Sequence, residues 1–178
     1  MKRGLSTLTE KELRNLISML CSASSENSLL VKLYLNDNSV LDSFEKKIEK
    51  ALVHDRFSFR EAKHYLSAVK KICTDPQAVA GLFVFAAETG NYITMDYGDI
   101  DGNYYCSMEN LFEASCKLVK DLQPNEDRDD LQERLHNLVE ITSGIGWGYH
   151  DTLGDIYFEY FPNIILKRGA VYFFSPSV

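Results

Sequence analysis

Ser58-Phe-Arg-Glu-Ala-Lys-His-Tyr-Leu-Ser-Ala-Val-Lys-Lys-Ile-Cys-Thr-Asp-Pro76 decides the fold class. Ser58 and Glu61 have the spacing of a capping box, in which the serine accepts from a backbone N–H three residues on and the glutamate reaches back. Phe59, Ala62, Leu66, Val69 and Cys73 then recur at helical spacing and mark a buried face. Arg60, Lys63, His64, Lys70 and Lys71 fall mostly on other faces. Asp75-Pro76 opens the next helix, with an N-cap residue ahead of a proline whose missing N–H costs nothing there.

The same signals recur on both sides. Thr9-Glu-Lys-Glu12 is a second capping box, and Leu13, Leu16, Ile17 and Leu20 form one stripe over residues 9–21. Leu29, Leu30 and Leu33 mark a short second helix, ended by Asn36-Asp-Asn38. Leu41, Phe44, Ile48, Ala51 and Leu52 mark a third. After Pro76, Val79, Leu82, Phe83 and Ala86 point inward in a helix apolar nearly all round, so it should be the most buried, with Gly90 as its end. Residues 91–103 read as a long loop or an irregular turn plus a loop. Met108, Leu111, Phe112, Ser115, Leu118, Val119 and Leu122 define a sixth helix, Leu131, Leu135, Leu138 and Val139 a seventh, and Leu153, Ile156, Tyr157 and Tyr160 an eighth closed by Pro162. The tail from Ile164 to Phe174 fits either a strand or an extended segment.

The expected fold is therefore all-α: an antiparallel helix array, repeat-like in the manner of TPR or HEAT proteins, with a short extended C-terminal tail. It forms one domain over residues 1–178, with helical halves at 1–90 and 104–161 and a tail at 162–178. The longest apolar run, from Ala78 to Ala87, is far short of the ~20 residues that span a bilayer, and Glu10 and Glu12 interrupt any secretory h-region. A cytoplasmic protein with no membrane contact is the expectation. Cys21, Cys73, Cys106 and Cys116 have no Cys-x-x-Cys spacing and read as buried free thiols.

The net charge of −7 is unevenly spread. Residues 1–72 hold 13 Lys/Arg against 9 Asp/Glu, whereas residues 73–166 hold 4 against 17. The acidic half disfavours nucleic acid as a ligand of the whole chain. The basic half, with Lys46, Lys47, Lys50, Arg60, Lys63, Lys70 and Lys71, offers an alternative surface for an anion or nucleic acid.

The order of motifs is similar to that of a known family. Ile48-Glu-Lys-Ala-Leu52 precedes Phe59-Arg-Glu-Ala-Lys-His-Tyr65; Asp99-Ile-Asp-Gly102, a helix with Leu111 and Phe112, and Trp147-Gly-Tyr-His-Asp151 leading to Leu153 and Tyr157 follow. Over about residues 40–161 this resembles the helical region of bacterial SWIM-type zinc-finger proteins and related uncharacterised helical proteins. The chain lacks the Cys-x-Cys and Cys-x-His of the zinc finger. The resemblance thus implies a repeat-like helical fold and a bacterial source, and no metal module.

Candidate sites are few. Asp96, Asp99, Asp101 and Asn103 could offer oxygens to Ca²⁺. With Asp99 and Asp101 at EF-hand positions 3 and 5, however, Tyr97 and Met108 fall where the terminal ligands belong; starting at Asp99 puts Tyr104 where glycine must be. A turn capping the next helix is the simpler reading. Trp147, Tyr149, His150 and Asp151, among glycines, read either as a partner-binding corner or as a plug in which Trp147 closes the core and Asp151 caps the last helix. A triad of His150, Asp151 and Thr142 or Ser143 lacks a nucleophile elbow. Gly144-x-Gly-x-Gly148 lacks the strand and spacing of a dinucleotide fingerprint. Glu61/His64 and Glu133/His136 repeat the Glu-x-x-His spacing of di-metal bundles, and a metal-dependent enzyme is the second alternative. The leading expectation is a non-catalytic module without cofactor. It would bind an unknown protein partner through Trp147, Tyr149, His150 and Asp151 and the acidic face of Asp96, Asp99 and Asp101.

Overall fold

A computed structural model describes residues 2–53, 57–97, 102–146 and 148–162. Within them the chain forms helices α1 (Lys2–Leu5), α2 (Glu10–Ala23), α3 (Ser25–Tyr34), a 3₁₀ turn (Asn38–Val40), α4 (Leu41–Val53), α5 (Phe59–Ile72), α6 (Pro76–Tyr97), α7 (Gly102–Lys120), α8 (Glu126–Ile141) and α9 (Tyr149–Tyr160). No strand occurs among the described residues. No described helix is long and apolar enough to cross a membrane. The tail expected beyond Pro162 lies outside the described residues.

The starts follow the caps. Thr9 accepts from the Glu12 N–H while the Glu12 carboxylate accepts from the Thr9 N–H at 2.7 Å, completing that box. Ser58 accepts from the Glu61 N–H, but the Glu61 carboxylate accepts from the Tyr65 hydroxyl at 3.1 Å instead of reaching back. Helix α3 is longer than its three leucines implied. Its end is a Schellman turn: the Asp37 N–H reaches the Lys32 carbonyl at 3.0 Å and Asn36 takes a left-handed φ of 64°.

Sequential helices from α2 to α3 and from α4 to α9 pack on each other, and α3·α5, α4·α6, α6·α8 and α7·α9 also meet. Every substantial pairing thus joins helices one or two apart in chain order. The central helix is α6, packed against α4, α5, α7 and α8. Phe44, Ile48, Leu66, Val69, Val84, Met108, Phe112, Leu135 and Leu153 belong to one continuous core spanning both halves of the chain. As its composition predicts, α6 buries nearly every residue from Leu82 to Asn91.

Gly90 does not end α6, which runs on for another two turns to Tyr97. A glycine is a common helix stop because it tolerates left-handed backbone. Here it answers a different need. A Cβ on Gly90 would fall on Cε and Sδ of Met108, so the missing side chain lets α6 and α7 approach. Its carbonyl accepts from the Tyr104 hydroxyl at 2.6 Å. Gly90→Val should overpack this crossing and cost about 1–3 kcal/mol, several degrees of Tm. A scanning-calorimetry profile unchanged by Gly90→Val would show that Met108 simply moves aside.

The thiols divide differently from expectation. Only Cys116 is buried, and burial pushes its thiol up, which leaves it unreactive. Cys21 and Cys73 are half-buried and Cys106 is exposed.

Candidate functional site

The polar residues in the second half of α6 organise the region where the sequence placed its corner. Asn91 is fully buried; its amide donates to the Ala87 carbonyl at 2.8 Å, and its side-chain oxygen accepts from the Tyr149 hydroxyl at 2.6 Å. Tyr149 packs its ring 4.8 Å from that of Tyr105, and Tyr105 meets Tyr104 edge-on. Desolvation raises the hydroxyls of Tyr104, Tyr149 and Tyr157, the last to about 12, so all three stay protonated donors. No buried side-chain nitrogen or oxygen among the described residues lacks a hydrogen-bond partner. The polar atoms of this network bond to one another within the protein.

Tyr149 therefore does not belong to a surface. It is among the largest fully buried side chains of the described residues, and α9 begins with it rather than after it. His150 is half-buried and its Nδ1 lies 2.9 Å from the Val139 carbonyl, near the end of α8. A cationic or N–H-donating side chain suits the unpaired carbonyls there. Thr142 donates to the same carbonyl at 2.8 Å and sits 3.4 Å from His150 Nδ1. Its hydroxyl donates to that carbonyl, so the Thr142 form of the triad is not present. Gly148, with a φ of 71°, is the N-cap of α9 and makes no side-chain cap, while Asp151 is exposed in the first turn. There its charge favours the positive helix end. Trp147, Asp99 and Asp101 lie outside the described residues, as does the side chain of Asp96 in α6.

The two Glu-x-x-His pairs stay apart in their bonding. His64 lies 2.8 Å from Glu26 of α3, Glu61 serves Tyr65, and His136 is 3.8 Å from Glu140 with its ring edge-on to Tyr157. Helix α5 packs chiefly on α3, α4 and α6, whereas α8 packs on α6, α7 and α9. Among the described residues no three His, Cys, Asp or Glu side chains gather as a metal site.

Sequence reasoning missed a bidentate ion pair between Glu88 and Arg134. Arg134 Nε and a terminal nitrogen donate to the two oxygens of Glu88 at 2.8 and 2.6 Å, joining α8 to α6. The Glu88 hydrogen bonds raise Arg134 further above its already high range. Burial raises the carboxyl of Glu45 on α4, with Asp42 adding to the rise and Arg134 opposing it. Neither Glu88 nor Arg134 announced itself, because both fall between apolar stripe positions.

Helix α2 is the other surprise. None of its residues is buried, and α3 is its one substantial neighbour. Leu13 and Leu16 are half-buried, but Ile17 and Leu20 of the same stripe remain 45% and 48% exposed. No family model matches the chain, and no curated protein and no solved structure matches it. The family resemblance thus rests on its quoted motifs alone, and the chemistry of this chain has to be argued from its own surfaces.

Proposed function

We propose that this chain is a non-catalytic protein-interaction module, and that the outer face of α2 is its principal contact. The single observation that carries the reading is the exposure of Ile17 and Leu20 on a helix none of whose residues is fully buried. An amphipathic helix gains its stability mainly by covering its apolar face, so a half-covered stripe calls for a further surface.

The repeat-like character expected of TPR or HEAT proteins belongs to the same proposal. Substantial pairing between first and second neighbours in chain order supports it. A bacterial, cytoplasmic setting is proposed as well, on the motif order and the composition alone. The corner of Trp147 and Asp151 and the acidic face of Asp96, Asp99 and Asp101 are proposed as secondary contacts; Tyr149 and His150 contribute to the corner by fixing the start of α9.

The test is capture from host lysate with the immobilised chain beside two variants, Ile17→Glu/Leu20→Glu and Trp147→Ala/Asp151→Ala. The protein retained by the unmodified chain should be lost by the first variant and weakened by the second. Equal retention by the folded α2 variant would contradict the reading. Tyr149 is unsuitable as a probe because its replacement damages the core.

A second reading, an anion- or nucleic-acid-binding face, is favoured by a specific observation. Lys46, Lys50, Arg60, Lys63, Lys70 and Lys71 are exposed on the adjoining helices α4 and α5, with no ion pair among the described residues. Association with DNA or RNA that weakens steeply with salt would support it.

A further inference from the structure

Helix α5 sorts its side chains by charge. Ala62, Tyr65, Leu66 and Val69 are buried, whereas Arg60, Lys63, Ser67, Lys70 and Lys71 are exposed. Those five fall within about 100° of the helix circumference and form one row from the first turn to the last. The row holds no acidic and no apolar residue. Neighbouring carboxylates are engaged: Glu61 accepts from the Tyr65 hydroxyl, Glu26 lies 2.8 Å from His64, and Asp75 accepts from the Gln77 N–H at 3.0 Å. Tyr65 marks the side that faces α4, because the Lys47 ammonium lies 5.4 Å from its ring centroid. The row is turned about 120° or more from Tyr65, so it looks away from α4 and its lysines. At the other flank, Lys70 reaches over the Phe83 ring of α6 at 5.6 Å.

We propose that this row binds the phosphate backbone of duplex nucleic acid, independently of base sequence. This rests on the reading of the basic half as an anion-binding face, confines the contact to α5 and names its occupant. Three features select that occupant. A protein partner is held mainly by aromatic and apolar groups at the centre of a contact, where lysine is depleted, and the row offers none of these. A lipid surface takes up a helix by its apolar face, and that face of α5 is committed to the core. A single strand is held by bases stacked on aromatic side chains, and the row has no aromatic residue. Four cations and a hydroxyl along about 16 Å of helix axis, about half a turn of duplex, remain. A phosphate backbone is bound by such groups without their burial, because each neutralised phosphate releases condensed counterions. A charge is felt over about 8 Å at physiological salt, so a phosphate on the row meets these cations rather than the net charge of −7.

Fluorescence anisotropy of a labelled, mixed-sequence DNA duplex, titrated with the full chain over a salt series, tests this. Four phosphate contacts predict that log K falls with log salt concentration at a slope of about −3 to −4. Lys63→Gln/Lys71→Gln should reduce that slope by about two and weaken binding by more than about tenfold at low salt. Lys63→Arg/Lys71→Arg should keep both, and circular dichroism should be unchanged in each, because both side chains are exposed. A duplex of unrelated sequence should bind alike; a strong preference between the two would overturn the proposal. An RNA duplex distinguishes the two sources of this backbone: binding to either supports the proposal, and binding to neither overturns it. Lys46→Gln/Lys50→Gln is the control on α4 and should leave the slope unchanged. If that variant loses the slope and the α5 variant does not, the anion-binding reading stands while α5 is refuted as its site. Polyglutamate or phosphatidylserine vesicles bound as tightly as the duplex, at equal charge, would refute nucleic acid as the occupant.

Discussion

Arg134→Met is expected to lower the unfolding free energy by about 2–4 kcal/mol, among the largest effects of any single surface-proximal change. The guanidinium makes two hydrogen bonds to Glu88, at 2.8 and 2.6 Å, across the α6–α8 contact. The Glu88 side chain is only 12% exposed and that of Arg134 29%. Removing the arginine leaves a carboxylate with little water and no counter-charge, and that penalty exceeds what the pair itself contributes. Replacing both, as Glu88→Leu/Arg134→Met, should cost less than the single change, because no orphaned charge remains. Urea unfolding of the four proteins of this cycle measures the coupling directly. A single variant as stable as the unmodified chain would mean that the ion pair is solvated and contributes nothing.

Tyr149 should separate the two roles its sequence position suggested. Tyr149→Phe keeps the ring against Tyr105 but leaves the buried Asn91 carbonyl without its donor, at about 1–3 kcal/mol. Tyr149→Ala removes the ring as well and opens a cavity in the core, at about 3–5 kcal/mol. Both losses should appear in thermal and denaturant unfolding of the isolated chain, with no partner present. A Tyr149→Phe variant of unchanged stability would return this residue to the list of surface contacts.

Much of the fold was legible because its signals are local. Capping residues at Thr9, Ser58 and Asp75 and stripes such as Leu41, Phe44, Ile48 and Leu52 need no knowledge of neighbours; each cap immediately precedes its helix and the stripe falls within α4. Gly90 failed because its meaning is tertiary: the residue that commonly stops a helix here makes room for Met108 of α7. The residues after it then looked like loop, since Asn91 and Thr94 are poor interior helix formers in isolation. Their side chains in fact bond backbone carbonyls, Asn91 that of Ala87 and Thr94 that of Asn91 at 2.7 Å, and both are buried by the elements around α6.

The corner was only half legible for a similar reason. A tyrosine beside a tryptophan has the composition of a contact surface, and nothing local says that Tyr149 turns inward to Asn91, 58 residues away. Helix α2 shows the converse. Periodicity marked Leu13, Leu16, Ile17 and Leu20 as a buried face, and it is the face a helix would bury if a neighbour were present. Pattern reports the need for a cover, while the supply depends on the rest of the fold.

Hydrogen exchange read by mass spectrometry, on the dilute chain alone and with the protein it retains from lysate, addresses the central claim most directly. Alone, α2 should exchange far faster than α6 and α7, since none of its residues is fully buried and they carry the core. Adding the retained protein should slow exchange in α2 and leave α6 and α7 unchanged. An α2 already as protected as α6 when dilute, or one whose exchange never responds to a captured partner, would contradict an uncovered interaction face at this end of the array.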